Sequence, residues 1–273
     1  MVAQYSSRQL TNEGDALDAF LGVMHHMRQS RPSAYTLCGL PIFKPPDREA
    51  IFFEYVVSAA LSWYPDIFSG DCALKRRCKF PSWTWVGWQG LPVHFLYSSY
   101  SRTMVRPFLR QLQLETSSGE ILELRALWNR GNQEEVQQAL DTVSTICFEA
   151  PTLPADYISH DAHGDKHEIT TNSNLHGDMF SVAGRRVERY RGPDFAIMHN
   201  LIENVRNGIW SCLILGGRKM GKDHSRFVLV ISWEEDQLTA ERIGIFVISP
   251  NDIRETNLGP LEEKLGWRRV RLI

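Results

Sequence analysis

Phe80-Pro81-Ser82-Trp83-Thr84-Trp85-Val86-Gly87-Trp88-Gln89-Gly90 places three of the chain's eight tryptophans within a few positions, between a proline and a glycine. Each indole buries roughly 150–250 Å² and still needs an acceptor for its N–H, so this density marks where the fold commits large aromatic surface. Read as an extended strand, Trp83 and Trp85 lie two apart and share one face. Val86-Gly87 breaks the alternation and turns Trp88 toward another surface. Core packing is the expected use of the cluster; an aromatic recognition surface is the alternative, since tryptophan is enriched at binding hot spots.

Upstream the periodicity is helical. Asn12 with Asp15 three residues on caps a helix start, and Leu17, Phe20, Leu21, Met24 and Met27 recur at three- and four-residue steps, predicting an amphipathic helix over 15–29. Pro45-Pro46-Asp47 opens a second, with Phe52, Val56, Ala59/Ala60 and Trp63 as one stripe and Pro65 blocking continuation. These two helices are expected to pack together and to face the tryptophan strand.

Downstream of Gly90 the pattern turns toward β. Val93 to Tyr97, Ile121 to Trp128 and Thr145 to Phe148 are short branched or aromatic runs between polar turns. Asn132 to Leu140 reads as a short helix, and Pro151 to His176 as a long polar loop. Phe195, Met198, Leu201, Ile202 and Val205 describe a further amphipathic helix stopped by Asn207-Gly208. Ile209 to Leu215 and Phe227 to Trp233 read as a hairpin, with Ile243 to Ile248 as a third strand. The fold class is therefore α+β: N-terminal helices packed on a mostly antiparallel β-sheet or distorted barrel. Two regions are expected, 1–90 helical and ending in the Trp-rich strand, 91–273 β-rich with the polar loop near 151–176, or one continuous domain in their place.

The tryptophan segment resembles the Pro-Ser-Trp-Ser-Trp-Ala-Gly-Trp signature of fungal heterokaryon incompatibility (HET domain) proteins, found downstream of their HET domain. Tyr5-Ser6-Ser7-Arg8-Gln9-Leu10-Thr11 and Asp15-Ala16-Leu17-Asp18-Ala19-Phe20 are similar to another stretch of that family. Gly39-Leu40-Pro41, Ala60-Leu61-Ser62-Trp63 and Arg76-Arg77 follow in the family's order. Phe227 to Trp233, Arg242 to Phe246 and Trp267 to Leu272 resemble its terminal strands. The likeness is strongest over 5–90 and looser over 91–208. In the family an N-terminal HET domain precedes these segments, and nothing before Tyr5 resembles it, so the likeness is to the C-terminal region. It implies a non-catalytic interaction or regulatory role in nonself recognition and programmed cell death. The partners it implies are proteins, a HET domain in cis or trans among them.

Composition narrows the classes of partner. A net charge of −2 over 273 residues leaves no basic excess for nucleic acid or an anionic membrane surface. No run approaches the ~18–20 apolar residues of a membrane span, and residues 1–24 lack the order of a signal peptide, so a cytoplasmic protein is expected. Cys38, Cys72, Cys78, Cys147 and Cys212 are odd in number and scattered, the pattern of reduced thiols.

Several constellations carry residue types suited to chemistry. Gly216-Gly217-Arg218-Lys219-Met220-Gly221-Lys222-Asp223 satisfies the Gly-x4-Gly-Lys part of a phosphate loop. Asp223 replaces the Mg²⁺-ligating hydroxyl, however, and the β-like sequence beyond it replaces the required helix. A Gly-rich connection between antiparallel strands is the expectation. His160, His163 and His167 with Asp161, Asp165 and Glu168 are competent metal ligands, but without helical context they read as a polar loop. His25-His26 fits a helix end, Ser82 lacks a nucleophile elbow, and Arg76-Arg77 reads as an exposed pair at a strand start. No catalytic, cofactor-binding or metal-binding residue is assigned and no cofactor is expected. The alternative is a nucleotide-binding or metal-dependent enzyme using the Gly216–Lys222 loop.

Overall fold

A computed structural model describes residues 2–6, 8, 12, 14–30, 34–43, 52–65, 75–90, 92–95, 105–155, 159–161, 168–171, 173–174, 180–182, 185–187, 201, 203–220, 223–248 and 265–273. The chain is α+β, with helices and a large, mostly antiparallel sheet. It forms two compact units: Met1–Tyr100 with Gln111–Phe148 and Arg271–Ile273, and Ser101–Arg110 with Glu149–Val270.

In the first unit, the helix Asp15–Ser30 starts beside Asn12, whose side-chain oxygen accepts from the Gly14 N–H at 3.1 Å. Asp15 and Asp18 in its first turn and Arg28 in its last complement the helix dipole. Its apolar stripe buries Ala16, Phe20 and Met24, and the helix packs on the strand Ala34–Leu37. That strand forms a hairpin with Leu40–Phe43, which the sequence reading missed. Cys38 and Gly39 make the two-residue turn at φ 46° and 87°, both in the left-handed region, as the twist of a tight hairpin demands. Gly39 also leaves no room for a side chain, since a Cβ there would lie 2.3 Å from Val86 Cγ2.

The helix Phe52–Leu61 packs on Leu40–Phe43 and stops earlier than its apolar stripe predicts. Trp63 is not its last turn but the start of the strand Trp63–Pro65, paired antiparallel with Val93–Phe95. Pro65 keeps Tyr64, the residue before it, out of helical backbone, and pairing with Val93–Phe95 extends Trp63 with it. Pro45-Pro46-Asp47 lies outside the described residues.

The predicted strand Ile121–Trp128 divides in two. Ile121–Leu122 pairs with Leu114 and Glu115, whereas Leu124–Arg130 is helical. A short apolar run reads equally as either, and the helix is chosen by burial of Trp128. The helix Gln133–Asp141 begins with a full capping box between Asn132 and Glu135. Its buried Gln137 acts as a substitute strand: Oε1 accepts from the Thr36 N–H at 3.0 Å, and Nε2 donates to the Thr36 carbonyl at 2.9 Å.

The second unit is built on a meander of Trp210–Met220, Asp223–Trp233 and Thr239–Ile248. Phe227 to Ile231 are buried without alternation, as in a strand covered on both faces. Phe180–Val182 and Arg185–Val187 extend the sheet beyond Thr239–Ile248. On the other side, Trp210–Met220 pairs with Val105–Pro107 along Gly216–Arg218 and with Thr152-Leu153 at Leu213-Cys212.

The described residues of 151–176 are mainly strand, not the long polar loop expected there. The strand Val143–Leu153 runs through Pro151, and Ser159–Asp161, Glu168–Thr171 and Ser173–Asn174 form a small antiparallel sheet. Of the predicted helix near Phe195 to Val205, residues 201 and 203–206 are helical and Gly208 at φ 72° follows its end. Phe195, Met198 and Ile202 lie outside the described residues.

Candidate functional site

The tryptophan segment is not a strand over Trp83–Trp85. Residues 81–84 are turn-like, and Trp85–Gly87 is one 3₁₀ turn capped by Thr84, whose side chain accepts from the Val86 N–H at 3.2 Å. Extension begins at Trp88, where Trp88–Gln89 pairs with Lys75–Arg76. The close packing of this turn requires Gly87: a Cβ there would meet the Pro81 carbonyl oxygen at 2.4 Å. Trp83 and Trp85 therefore do not share a strand face, yet both are buried, while Trp88 is half-buried.

Each indole in the cluster reaches a backbone carbonyl. Trp63 Nε1 donates to Trp83 at 2.8 Å and Trp83 Nε1 to Ser144 at 3.3 Å. Trp85 Nε1 donates to Gly39 at 2.7 Å and Trp88 Nε1 to Ser82 at 2.8 Å. Around Trp85, Phe20 stands edge-on at 5.1 Å and Tyr5 at 6.1 Å between ring centroids. Burial of apolar surface and satisfaction of the indole N–H groups thus point to the same geometry.

Arg76 and Arg77 are not an exposed pair. Arg77 is 3% exposed, and its Nη1 donates to the Val86 carbonyl at 3.1 Å and to the Trp88 carbonyl at 2.6 Å. Arg76 Nη1 donates to Phe80 at 2.7 Å and to Gly87 at 3.2 Å, with its guanidinium 5.6 Å from the Trp88 ring centroid. A tight turn leaves carbonyls that no ladder can pair, and a guanidinium with five fixed donors closes several at once. Ser82 is equally committed: its hydroxyl and its N–H both donate to the Ile273 backbone oxygen. The chemistry available to this cluster is therefore the holding of a loop.

Among the described residues the remaining sequence candidates do not assemble. Gly216–Met220 is part of an extended strand, and Asp223–Trp233 continues as its hairpin partner, with Met220 opposite Asp223. A phosphate cradle needs a helix to open after the glycines, and a strand follows them here. Gly216 and Gly217 are buried within the sheet instead of lying in a solvated connection; Gly221 and Lys222 lie outside the described residues. His160 and Asp161 stand opposite Ile169 and Glu168 in the small sheet, whereas His163, Asp165 and His167 lie outside the described residues. Among the described residues no group of three or more His, Cys, Asp or Glu is placed to hold a metal ion. His25 and His26 are exposed on the Asp15–Ser30 helix.

Burial raises the thiols of Cys38 and Cys212 to about 12, the carboxylate of Asp141 adding to the effect at Cys38. Such thiols are neutral at physiological pH and poor nucleophiles. One charged cluster has no sequence signature because its members are distant along the chain. Arg271 grips Glu115 through two donors, Nη2 to Oε1 at 2.6 Å and Nε to Oε2 at 3.1 Å. Hydrogen bonding from Arg271 holds the Glu115 carboxyl below its ordinary range, and the buried Cys147 thiol donates to the same group at 3.8 Å.

Among the described residues no helix is long and apolar enough to cross a membrane. Compared with known proteins, the chain matches no family model, no curated protein and no solved structure.

Proposed function

We propose that the chain is a non-catalytic interaction or regulatory region of the fungal heterokaryon incompatibility type. In this reading it works in the cytoplasm, in nonself recognition coupled to programmed cell death, through contacts with proteins that include a HET domain in cis or trans. One observation supports it: the segments between residues 5 and 90 that carry the strongest resemblance meet in one core. Tyr5 and Phe20 pack on Trp85, Gly39 accepts its indole N–H, and Trp63 donates to Trp83. Arg76 and Arg77 tie the loop carbonyls, and Ser82 binds the backbone that follows the Trp267–Leu272 strand. Residues so distributed act together only through a shared fold, so their joint likeness is a likeness of architecture. Fold alone does not carry an activity, and the biological role is taken from the resemblance.

The test combines two measurements on the purified full chain. A separately expressed HET domain is expected to form a saturable complex with it by isothermal titration. Thermal-shift titration with ATP, GTP and NAD, each with Mg²⁺ or Zn²⁺, is expected to leave Tm unchanged, because a ligand specific to the native state raises Tm by mass action. A saturable rise lost in Lys222→Ala overturns the proposal in favour of a nucleotide-binding protein. Absence of a complex removes the HET domain as partner.

A further inference from the structure

Residues 203–206 are helical and Trp210 begins a strand, so the chain leaves one element and enters the other over 207–209. That passage is a paired helix cap. The Gly208 N–H donates to the Val205 carbonyl at 3.2 Å and the Ile209 N–H to the Asn204 carbonyl at 2.9 Å, the two bonds with which a left-handed glycine closes a helix. Gly208 holds φ 72°, which side chains disfavour, so the cap demands glycine there. The Ile209 carbonyl then accepts from the Trp233 N–H at 2.9 Å and leads into the pairing of Trp210 with Ser232.

The residue before that glycine is an asparagine. Of all the asparagines in the sequence, Asn207 alone precedes glycine. The carboxamide carbon of an asparagine closes a five-membered ring with the backbone nitrogen of the next residue, and a side chain on that residue is what ordinarily crowds the approach. Gly208 has none, and no described atom lies within 4 Å of the point a Cβ would occupy. Glu203, Arg206 and Asn207 are exposed, so water reaches this turn. The bond from Gly208 to Val205 restrains the nitrogen, but bonds at an exposed helix end open locally at far lower cost than the core.

We propose that Asn207 is a site of spontaneous deamidation, and that its conversion unlatches the helix end from the strand Trp210–Met220. The Gly208 nitrogen attacks Asn207 Cγ. An N–Cγ bond forms, the Cγ–Nδ2 bond breaks, and Nδ2 leaves as ammonia with the proton released by Gly208. Water then opens the cyclic imide: attack at Cγ gives aspartate, and attack at the backbone carbonyl carbon gives isoaspartate, whose main chain runs through Cβ and Cγ. Both products place a carboxylate at the negative end of the helix, on the residue whose own N–H donates to the Glu203 carbonyl at 2.8 Å. Isoaspartate also lengthens the main chain between the Asn204 and Val205 acceptors and the Gly208 and Ile209 donors, so the cap bonds lose their registry. The proposal rests on this cap alone and stands or falls independently of the family resemblance.

Incubation of the full native chain at mildly alkaline pH, with the same chain in guanidinium chloride alongside, tests it by peptide mass spectrometry and amide hydrogen exchange. The native protein is expected to convert from amide to acid at Asn207, more slowly than the unfolded sample because the cap must first open. Converted protein is expected to lose exchange protection at Gly208 and Ile209 while the strand Asp223–Trp233 keeps its own. Asn207→Gln, whose extra methylene removes the five-membered ring, loses the conversion and keeps the protection. An Asn207 that stays an amide in the native chain once the unfolded sample has converted, or that converts in neither, overturns the site. Converted protein with unchanged protection at both amides overturns the unlatching.

Discussion

Trp85→Phe isolates the indole N–H of the central tryptophan while keeping an aromatic ring against Phe20 and Tyr5. The substitution removes the 2.7 Å bond to the Gly39 carbonyl and leaves that acceptor facing a buried site. An orphaned buried acceptor costs about 1–3 kcal/mol, and the apolar area lost with the larger ring costs about 1 kcal/mol more. The expected destabilisation is therefore about 2–4 kcal/mol, close to the ~3–5 kcal/mol typical of truncating a buried Trp to Ala. Urea unfolding followed by far-ultraviolet circular dichroism measures it, and an unchanged m value shows that the unfolding reaction is the same. Native-state hydrogen exchange supplies a local readout: protection in the Ala34–Phe43 hairpin should fall with global stability, since the lost bond anchors its turn. A loss below about 1 kcal/mol would refute the reasoning, because packing would then account for the whole effect.

Two glycine substitutions should have opposite signs. Gly87→Ala drives a Cβ to 2.4 Å from the Pro81 carbonyl oxygen and should cost about 1–3 kcal/mol. Gly22→Ala, on an exposed helix position with open space around its Cβ, should stabilise by about 0.5–1 kcal/mol in the same denaturation assay. The Arg271 grip depresses the folded pKa of Glu115, so its contribution is fully present above the ordinary carboxyl value of 4.5 and is lost as pH falls through the lower folded value. The Tm difference between wild type and Arg271→Ala should accordingly shrink below pH 4.5; a constant difference would rule out the linkage. Among Cys38, Cys78, Cys147 and Cys212, iodoacetamide should label the exposed Cys78 first in the native protein, with Cys38 and Cys212 reacting after unfolding, as read by peptide mass spectrometry.

Elements governed by local chemistry were legible from the residues. The helix Asp15–Ser30, the capped helix Gln133–Asp141 and the three long meander strands follow from caps, periodicity and branched runs. Where a segment's conformation depends on distant partners, local reading failed. Alternation at Trp83 and Trp85 reads as a strand, but the segment forms a turn from which the indoles reach Ser144 and Gly39. Ile121 to Trp128 is split because Leu122 finds a strand partner in Leu114 while Trp128 finds a core. Arg76-Arg77 carries no sign that its charge is turned inward, since the carbonyls it closes exist only once the loop has formed.

By itself the sequence determined the α+β class, the position of the aromatic nucleus and the absence of a helix after the Gly216–Lys222 motif. All three are written in residue spacing and propensity, which act over a few positions along the chain. Only the tertiary structure decided that the tryptophans and their neighbouring arginines serve one core. It also brought together Glu115 with Arg271 and Trp233 with Arg268. Burial and hydrogen-bond satisfaction are properties of groups brought together from across the chain, and they choose among the conformations that local chemistry leaves open.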